Sequence, residues 1–246
     1  MSLRIRVVSY NIHKCKGLDR RTSPERIASI IRELNADAVA LQEILDVREG
    51  RPEFDQARRI TAALGSYQQC FGENRMLYGG RYGNMTLSRF PVEVCQNYDL
   101  TWRHRERRGC LRTDLLLPGN TLLHLFNVHL GTSFVERRHQ ARMLLGNQVL
   151  SHTQWAGPRI VVGDFNEWTR GMASRLLGEA FQAAKPKTFL WHGRTYPGIF
   201  PVLHLDHFYY DQNLALRSFQ VHRSRKALAA SDHLPLVAEF ELAHPD

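Results

Sequence analysis

No apolar run in this chain approaches the 18 residues of a membrane-spanning helix, so a helical transmembrane protein is not expected. The opening, MSLRIRVVSYN, alternates charged and apolar residues and lacks the apolar core of a signal peptide, which makes the cytoplasm the expected compartment. Cysteines are few: Cys15, Cys70, Cys95 and Cys110 stand apart, without CxxC or metal-knuckle spacing. A thiolate-held zinc is therefore not expected, and the four read as reduced thiols of a cytosolic protein. Linkers, low-complexity tracts and internal repeats are also missing, so residues 1–246 are expected to form one domain and to act as a monomer.

Acidic residues are in deficit. Thirty-three Lys plus Arg stand against 24 Asp plus Glu, a net +9 carried mostly by arginine, which favours polyanionic partners. One stretch, WRHRERRGCLR (Trp102 to Arg112), concentrates five arginines against one glutamate. Arg103, Arg105, Arg107 and Arg108 are candidates for binding a substrate backbone. A solvated loop leading into a strand is the plainer alternative.

Apolar spacing alternates between strand and helix. Arg4 to Asn11 has the period of two of a strand. Ser23-Pro24 supplies a cap and a first-turn proline, and Ile27, Ile30, Ile31 and Leu34 then mark one face of a helix. Ala38 to Gln42 reads as a buried strand ending at Glu43, and Phe54 to Leu64 as helix. Strands are expected at Tyr67 to Phe71, Asn84 to Ser88, Val92 to Tyr98, Gly109 to Leu117 and Thr121 to His129. LPGNT turns the last two into a hairpin. A long helix is expected from Ser133 to His152, with Phe134, Ala141, Leu145 and Val149 on one face. After an Ile160 to Gly163 strand come a short helix at Met172 to Leu177 and strands at Leu205 to Tyr210, Ala215 to Val221 and Leu236 to Leu242. Strands outnumber helices and include hairpins, so two packed sheets with helices outside fit better than a parallel doubly wound sheet.

Polar residues recur where the apolar strands stop: Asn11 in SYNIH, Glu43 in LQE, His129 in NVHL, Asp164 and Asn166 in GDFN, Asp206 in LDHFYY, and Asp232-His233 in SDHLPL. Singly, each has an ordinary explanation as a cap, a surface group or a satisfied core histidine. Together they place four carboxylates, two amides and two imidazoles at strand ends, where sites are built. Four carboxylates in one cleft repel one another, and a divalent cation resolves that repulsion. Oxygen donors without thiolate point to Mg²⁺, Mn²⁺ or Ca²⁺.

These motifs, with GNMTLSR at 83–89, run in the order of the endonuclease/exonuclease/phosphatase superfamily, and essentially the whole chain resembles its small single-domain bacterial, DNase I-like members. The resemblance implies a four-layered α/β sandwich: two central mixed β-sheets flanked by helices. It implies a divalent-metal-dependent phosphodiesterase using Mg²⁺ or Mn²⁺. Glu43 resembles the principal metal ligand, with Asn11 and Asp232 as partners at the metal or phosphate. Asp164 resembles the carboxylate that orients or deprotonates water, and Asn166 a donor to phosphate oxygen. His233, held by Asp206, is similar to the catalytic imidazole, and His129 to the second histidine, which contacts the phosphate. Abasic-site nucleases carry tyrosine in place of His129, so the resemblance leans toward DNase I and the sphingomyelinases. RTYPGIFP at 194–201 suits the bacterial subgroup; there Arg194, Tyr196 and Phe200 either face substrate or form a buried connection.

The expected substrate is nucleic acid, DNA or RNA. A phospholipid-headgroup phosphodiesterase or a phosphatase is the alternative of the same chemistry, and a catalytically weak module binding nucleic acid or membrane is the alternative of another class. The binding-module reading is opposed by the presence of both Glu43 and His233. Dinuclear metallophosphoesterases are opposed by the lack of DxH and GNH[DE].

Overall fold

The computed structural model describes residues 3–47, 49, 52–146, 148–151, 156–168, 171–185 and 193–242. In chain order the elements begin β1 (Arg4–Asn11), α1 (Pro24–Leu34), β2 (Ala38–Asp46), α2 (Gln56–Leu64), β3 (Gln68–Leu77), β4 (Gly80–Ser88), β5 (Val92–Asp99), β6 (Gly109–Leu117) and β7 (Thr121–His129). They continue α3 (Phe134–Leu144), β8 (Arg159–Asp164), α4 (Met172–Ala180), β9 (Gln182–Ala183), β10 (Asp206–Tyr210), β11 (Leu214–Val221), α5 (Arg225–Ala230) and β12 (Leu236–Leu242). Two six-stranded sheets result, ordered β11-β12-β1-β2-β4-β3 and β5-β6-β7-β8-β10-β9. Each is mixed: β1 pairs parallel with β2, and β7 parallel with β8, among antiparallel neighbours.

Strand alternation builds the layers. Ile5 and Val7 of β1, Ala38 and Ala40 of β2, Leu123 and Leu125 of β7, Ile160 and Val162 of β8, and Phe208 of β10 face inward and pack sheet on sheet. On the outer face of the first sheet, Val8, Tyr10 and Val39 meet Ile27, Ile31, Ile60 and Ala227 of α1, α2 and α5. On the outer face of the second, Phe126, Val128 and Val161 meet Ala141, Leu144, Ala173 and Leu177 of α3 and α4. The expected four-layered sandwich is the fold found. Ser23 caps α1 by accepting a hydrogen bond from the Arg26 amide at 3.2 Å, with Pro24 in the first turn as expected.

Four expectations change. The strand through Ala38 does not stop at Glu43: β2 runs on to Asp46, and its register against β4 slips between Leu41 and Ile44. Glu43 sits in that bulge with φ +59°, a conformation that re-aims its side chain. The helix begun at Ser133 ends at Leu144; Gly146 follows in a turn, and His152 lies outside the described residues. Its buried face is also different. Phe134 is exposed, whereas Arg137, Gln140, Ala141 and Leu144 face inward. Gln140 and Arg137 satisfy the backbone of Gly131 and Thr132, so polar residues occupy positions that a purely apolar period misses. Finally, Cys70 of β3 and Cys95 of β5 form a disulfide, Cα–Cα 5.6 Å, that ties an edge strand of one sheet to an edge strand of the other. Four reduced thiols are thus replaced by one disulfide and two buried free cysteines, Cys15 and Cys110. No helix among the described residues is long and apolar enough to cross a membrane.

Toward one end the inter-sheet layer turns polar. Asn127 of β7 donates to the Leu41 carbonyl at 3.0 Å and the Met85 carbonyl at 3.1 Å, and accepts from Gln42 Nε2 at 2.8 Å. Asn84 donates to the Asn127 and Gly109 carbonyls at 3.2 and 3.3 Å. This buried seam crosslinks the sheets beneath the strand ends. Asn127→Ala is expected to destabilise the protein by about 2–4 kcal/mol, because three buried partners lose their bonds at once. Urea unfolding reads this directly, and a loss under about 0.5 kcal/mol would show that water satisfies the seam equally well.

Candidate active site

The inward positions that carry Ile, Val and Leu in the core carry Asn, Asp and His at the strand ends. Asn11 follows Val7 and Ser9 on β1, His129 follows Leu125 and Asn127 on β7, and Asp164 follows Ile160 and Val162 on β8. Register aligns them: His129 pairs with Asp164, and Asp164 with Asp206. Gly163 makes the last step possible. Its φ is +142°, and a Cβ there would lie 1.9 Å from the Val128 carbonyl oxygen, so only glycine lets β8 deliver Asp164 so close to β7.

Asp164 is the centre of the cluster. Its Oδ1 accepts from the Asn166 amide at 2.8 Å, which fixes the carboxylate's plane. Its Oδ2 faces the cleft and meets three nitrogens: Asn11 Nδ2 at 2.9 Å, His129 Nε2 at 3.7 Å and His233 Nε2 at 3.7 Å. Burial pushes its pKa up and the Asp206 charge adds to that, while both histidines pull it back.

The two imidazoles differ in state. Asp206 Oδ2 lies 2.9 Å from His233 Nδ1 and also accepts a bond from the Thr195 hydroxyl. Burial lowers the His233 pKa, yet the Asp206 and Asp164 charges outweigh it and raise the value to about 10, so His233 is an imidazolium at neutral pH. The Tyr196 ring packs against it, centroids 5.0 Å apart. His129 has no carboxylate on Nδ1; it faces Arg108 Nη1 at 3.5 Å instead. Burial and the guanidinium charge lower its pKa to about 4, so it is neutral. A guanidinium only donates, so Nδ1 accepts and the proton sits on Nε2, directed at the cleft.

Glu43 lies beside Asn11, whose Nδ2 reaches its Oε1 at 3.3 Å. Lys14 Nζ holds the other oxygen at 2.7 Å. Burial favours the neutral acid, but His129, which is charged only in the acid range where this carboxyl would titrate, the Lys14 charge, and the Lys14 and Asn11 bonds prevail and hold the carboxyl below the ordinary range. Lys14 comes from a turn in which His13, Lys14 and Cys15 all have positive φ (43°, 56° and 56°), a strained arrangement for three L-residues in a row. The same turn brings His13 Nδ1 to within 3.5 Å of Asp232 Oδ1.

The profile of the Endonuclease/Exonuclease/phosphatase family matches residues 8–233. The chain belongs to that family. It is 30% identical over 251 residues to the uncharacterized protein YbhP of Escherichia coli strain K12, covering 96% of either chain. Among solved structures, the human Nocturnin catalytic domain with bound sulfate matches with a TM-score of 0.77 at 22% identity, over 99% of this chain and 97% of that one. The mannosyl-6-phosphatase of Bacteroides thetaiotaomicron VPI-5482 matches with a TM-score of 0.74 at 17% identity, over 96% of this chain and 99% of that one. Structures this distant speak for the fold alone. Members of the endonuclease/exonuclease/phosphatase family are hydrolases acting on phosphoester bonds and typically use divalent metals.

Among the described residues, two places in this family member offer metal donors. Oxygen and nitrogen atoms of Asp164, Asp206 and His233 lie within 4.8 Å of one another. That trio is already spent: Asp206 holds the imidazolium, and a protonated ring has no lone pair for a metal. Glu43 fits better, since it is ionised, partly open to solvent and already engages a cation in Lys14. Asn11 turns its NH₂ to both carboxylates, bridging Glu43 and Asp164 rather than offering them an oxygen, because two neighbouring anions need donors. Asp232 stands at the rim with His13 and Ser231.

The remaining candidates are placed unevenly. Asn166, with φ +50°, donates Nδ2 to the Leu130 carbonyl at 2.9 Å, which leaves one further N–H on that nitrogen. Arg103, Arg105 and Arg107 lie on the exposed β5–β6 loop, with Arg103 stacked on Trp102, while Arg108 alone turns in and is 6% exposed. Tyr196 reaches His233, and Phe200 points outward, 63% exposed. Sequence reasoning missed Lys14, Thr195 and the Gln42–Asn84–Asn127 seam. Lys14 had one usable signal: a cation three residues after Asn11, in a segment with no periodicity of its own.

Proposed function

We propose that the protein is a divalent-metal-dependent phosphodiesterase acting on nucleic acid by in-line attack of water. The observation that carries this reading is the convergence of Asn11 Nδ2, His129 Nε2 and His233 Nε2 on one oxygen of Asp164, with Glu43 one amide away. At 3.7 Å neither imidazole is hydrogen-bonded to the carboxylate, so both Nε2 atoms are left to donate to a water or phosphate oxygen seated beside Asp164 Oδ2. Asp164, a buried carboxylate whose pKa is raised, orients the water and accepts its proton as the new oxygen–phosphorus bond forms. The His233 imidazolium, the His129 Nε2–H and the free Asn166 N–H meet the non-bridging oxygens as charge accumulates there. Mg²⁺ or Mn²⁺, held through Glu43 with Asn11 and Asp232 at hand, would supply Lewis-acid neutralisation of the phosphoryl oxygens and the leaving alkoxide.

Nucleic acid is favoured by the net charge of +9 and by the arginine loop whose inner end, Arg108, meets His129. A phospholipid headgroup is the second reading, favoured by Trp168, Ile199 and Phe200, which stand 67%, 72% and 63% exposed on loops next to Asn166 and Tyr196. Plasmid DNA, RNA, sphingomyelin vesicles and bis-p-nitrophenyl phosphate, each with Mg²⁺ or Mn²⁺, separate the two. Turnover of vesicles without turnover of either nucleic acid overturns the first. The Cys70–Cys95 disulfide weighs against the reducing cytoplasm and for an oxidising compartment, where such bonds persist.

A further inference from the structure

Beyond Asp164 and His129, the cleft wall holds two guanidiniums that share one anion. Glu106, on the exposed loop between β5 and β6, places Oε1 2.9 Å from Arg75 Nη2 and Oε2 2.9 Å from Arg108 Nη2. A carboxylate spanning two arginines in this manner is ordinarily a weak surface contact. Here Arg108 is unlike a surface group, while Arg75 keeps 37% of its side chain exposed. Arg108 is buried, and its Nε has no hydrogen-bond partner; the Nε of Arg75 is buried and unpaired too. Burying a guanidinium is costly unless its donors are filled, and one half-exposed carboxylate does not fill them. Arg75 is set in place by the Tyr82 ring, 4.9 Å below its guanidinium, and on Tyr82's other neighbour, Lys14, the wall continues to Glu43. Arg108 continues it to the reaction centre, through His129 to Asp164.

The geometry points to a second phosphate subsite formed by Arg75 and Arg108, in which Glu106 is a resident anion that the substrate displaces. Planar, bidentate donors suit a phosphate's oxygens as well as a carboxylate's, and a phosphate brings more charge and more acceptors. The fitting ligand is the phosphate next along a nucleic-acid strand from the one held at Asp164, an assignment that rests on the nuclease reading above. Displacing Glu106 also frees the loop that carries Arg103, Arg105 and Arg107, so occupancy of the subsite and engagement of those arginines are linked events.

Inorganic pyrophosphate titrated calorimetrically into the protein in EDTA tests the subsite without any turnover. Glu106→Gln keeps the side chain's shape but removes its charge, and is expected to tighten pyrophosphate binding about tenfold at low salt. Arg75→Gln is expected to weaken it about tenfold. A gain in affinity cannot come from misfolding, so the two variants control each other, and an unchanged affinity in either overturns the proposal. With metal restored, Arg75→Gln is expected to raise KM for an oligonucleotide at least fivefold more than KM for bis-p-nitrophenyl phosphate, which has one phosphate only. Equal rises for the two substrates also overturn it. If both affinity shifts occur while no nucleic acid is cleaved, the anion subsite stands and the nuclease reading is what falls.

Discussion

Replacing His233 by alanine is expected to lower kcat by about 10² to 10⁴, the range for removing a positioned proton-transfer group or a preorganised charge. The size follows from the state of the ring. Asp206, 2.9 Å from Nδ1, keeps His233 charged with a pKa raised to about 10, so a full positive charge faces the cleft through the neutral range. Asp206→Asn keeps the shape but not the charge, and the imidazole pKa then falls back toward its ordinary 6.5. That variant should therefore lose activity at pH 8 and recover part of it as the pH is lowered to 6, while metal binding at Glu43 stays intact. The wild type, whose ring is already charged, should show no such recovery. Because the two residues act as a unit, the double variant should be little worse than His233→Ala alone. Additive losses, or an Asp206→Asn profile parallel to the wild type's, would sink the pairing. The same raised pKa carries a stability consequence in the metal-free protein. A histidine whose folded pKa exceeds its unfolded value contributes fully below about 6.5, and the contribution is lost as pH rises through about 10.

Much of this geometry was legible because strand alternation is rigid. Once Ile5 and Val7 are assigned inward, Asn11 must also face inward, and the same period of two carries Leu125 to His129, Ile160 to Asp164 and Phe208 to Asp206. The features that escaped break that period or depend on partners far along the chain. Glu43 leaves the alternation at a bulge that has no glycine to announce it. Lys14 reaches Glu43 from a left-handed turn that no propensity favours. Arg108 looks like its neighbours Arg103, Arg105 and Arg107, and only the start of β6 decides which of them turns in. Cys70 and Cys95 are 25 residues apart, on strands of different sheets, and their meeting is a property of the sandwich as a whole. Asn127 and Gln42 read as ordinary strand residues next to the motifs, although their amides join the sheets.

Glu43→Gln is expected to weaken Mn²⁺ binding by at least about 10²-fold, since loss of outer partners alone costs 10- to 100-fold, and to lower activity at subsaturating metal to match. The substitution is isosteric, so the bulge and its φ are kept and only the charge is withdrawn. EDTA should abolish turnover of the wild type. Lys14 makes the prediction sharper. Its ammonium sits 2.7 Å from Glu43 Oε2, where a divalent cation would have to displace it. Lys14→Met removes that competitor and should tighten Mn²⁺ binding in the wild-type background. In the Glu43→Gln background it should have almost no effect, because the carboxylate for which the two cations compete is gone. Calorimetric titration of the four proteins gives the coupling directly. Turnover that survives EDTA, or Mn²⁺ affinity indifferent to Glu43, would move the metal away from Glu43 and leave the Lys14–Glu43 pair as a purely structural contact.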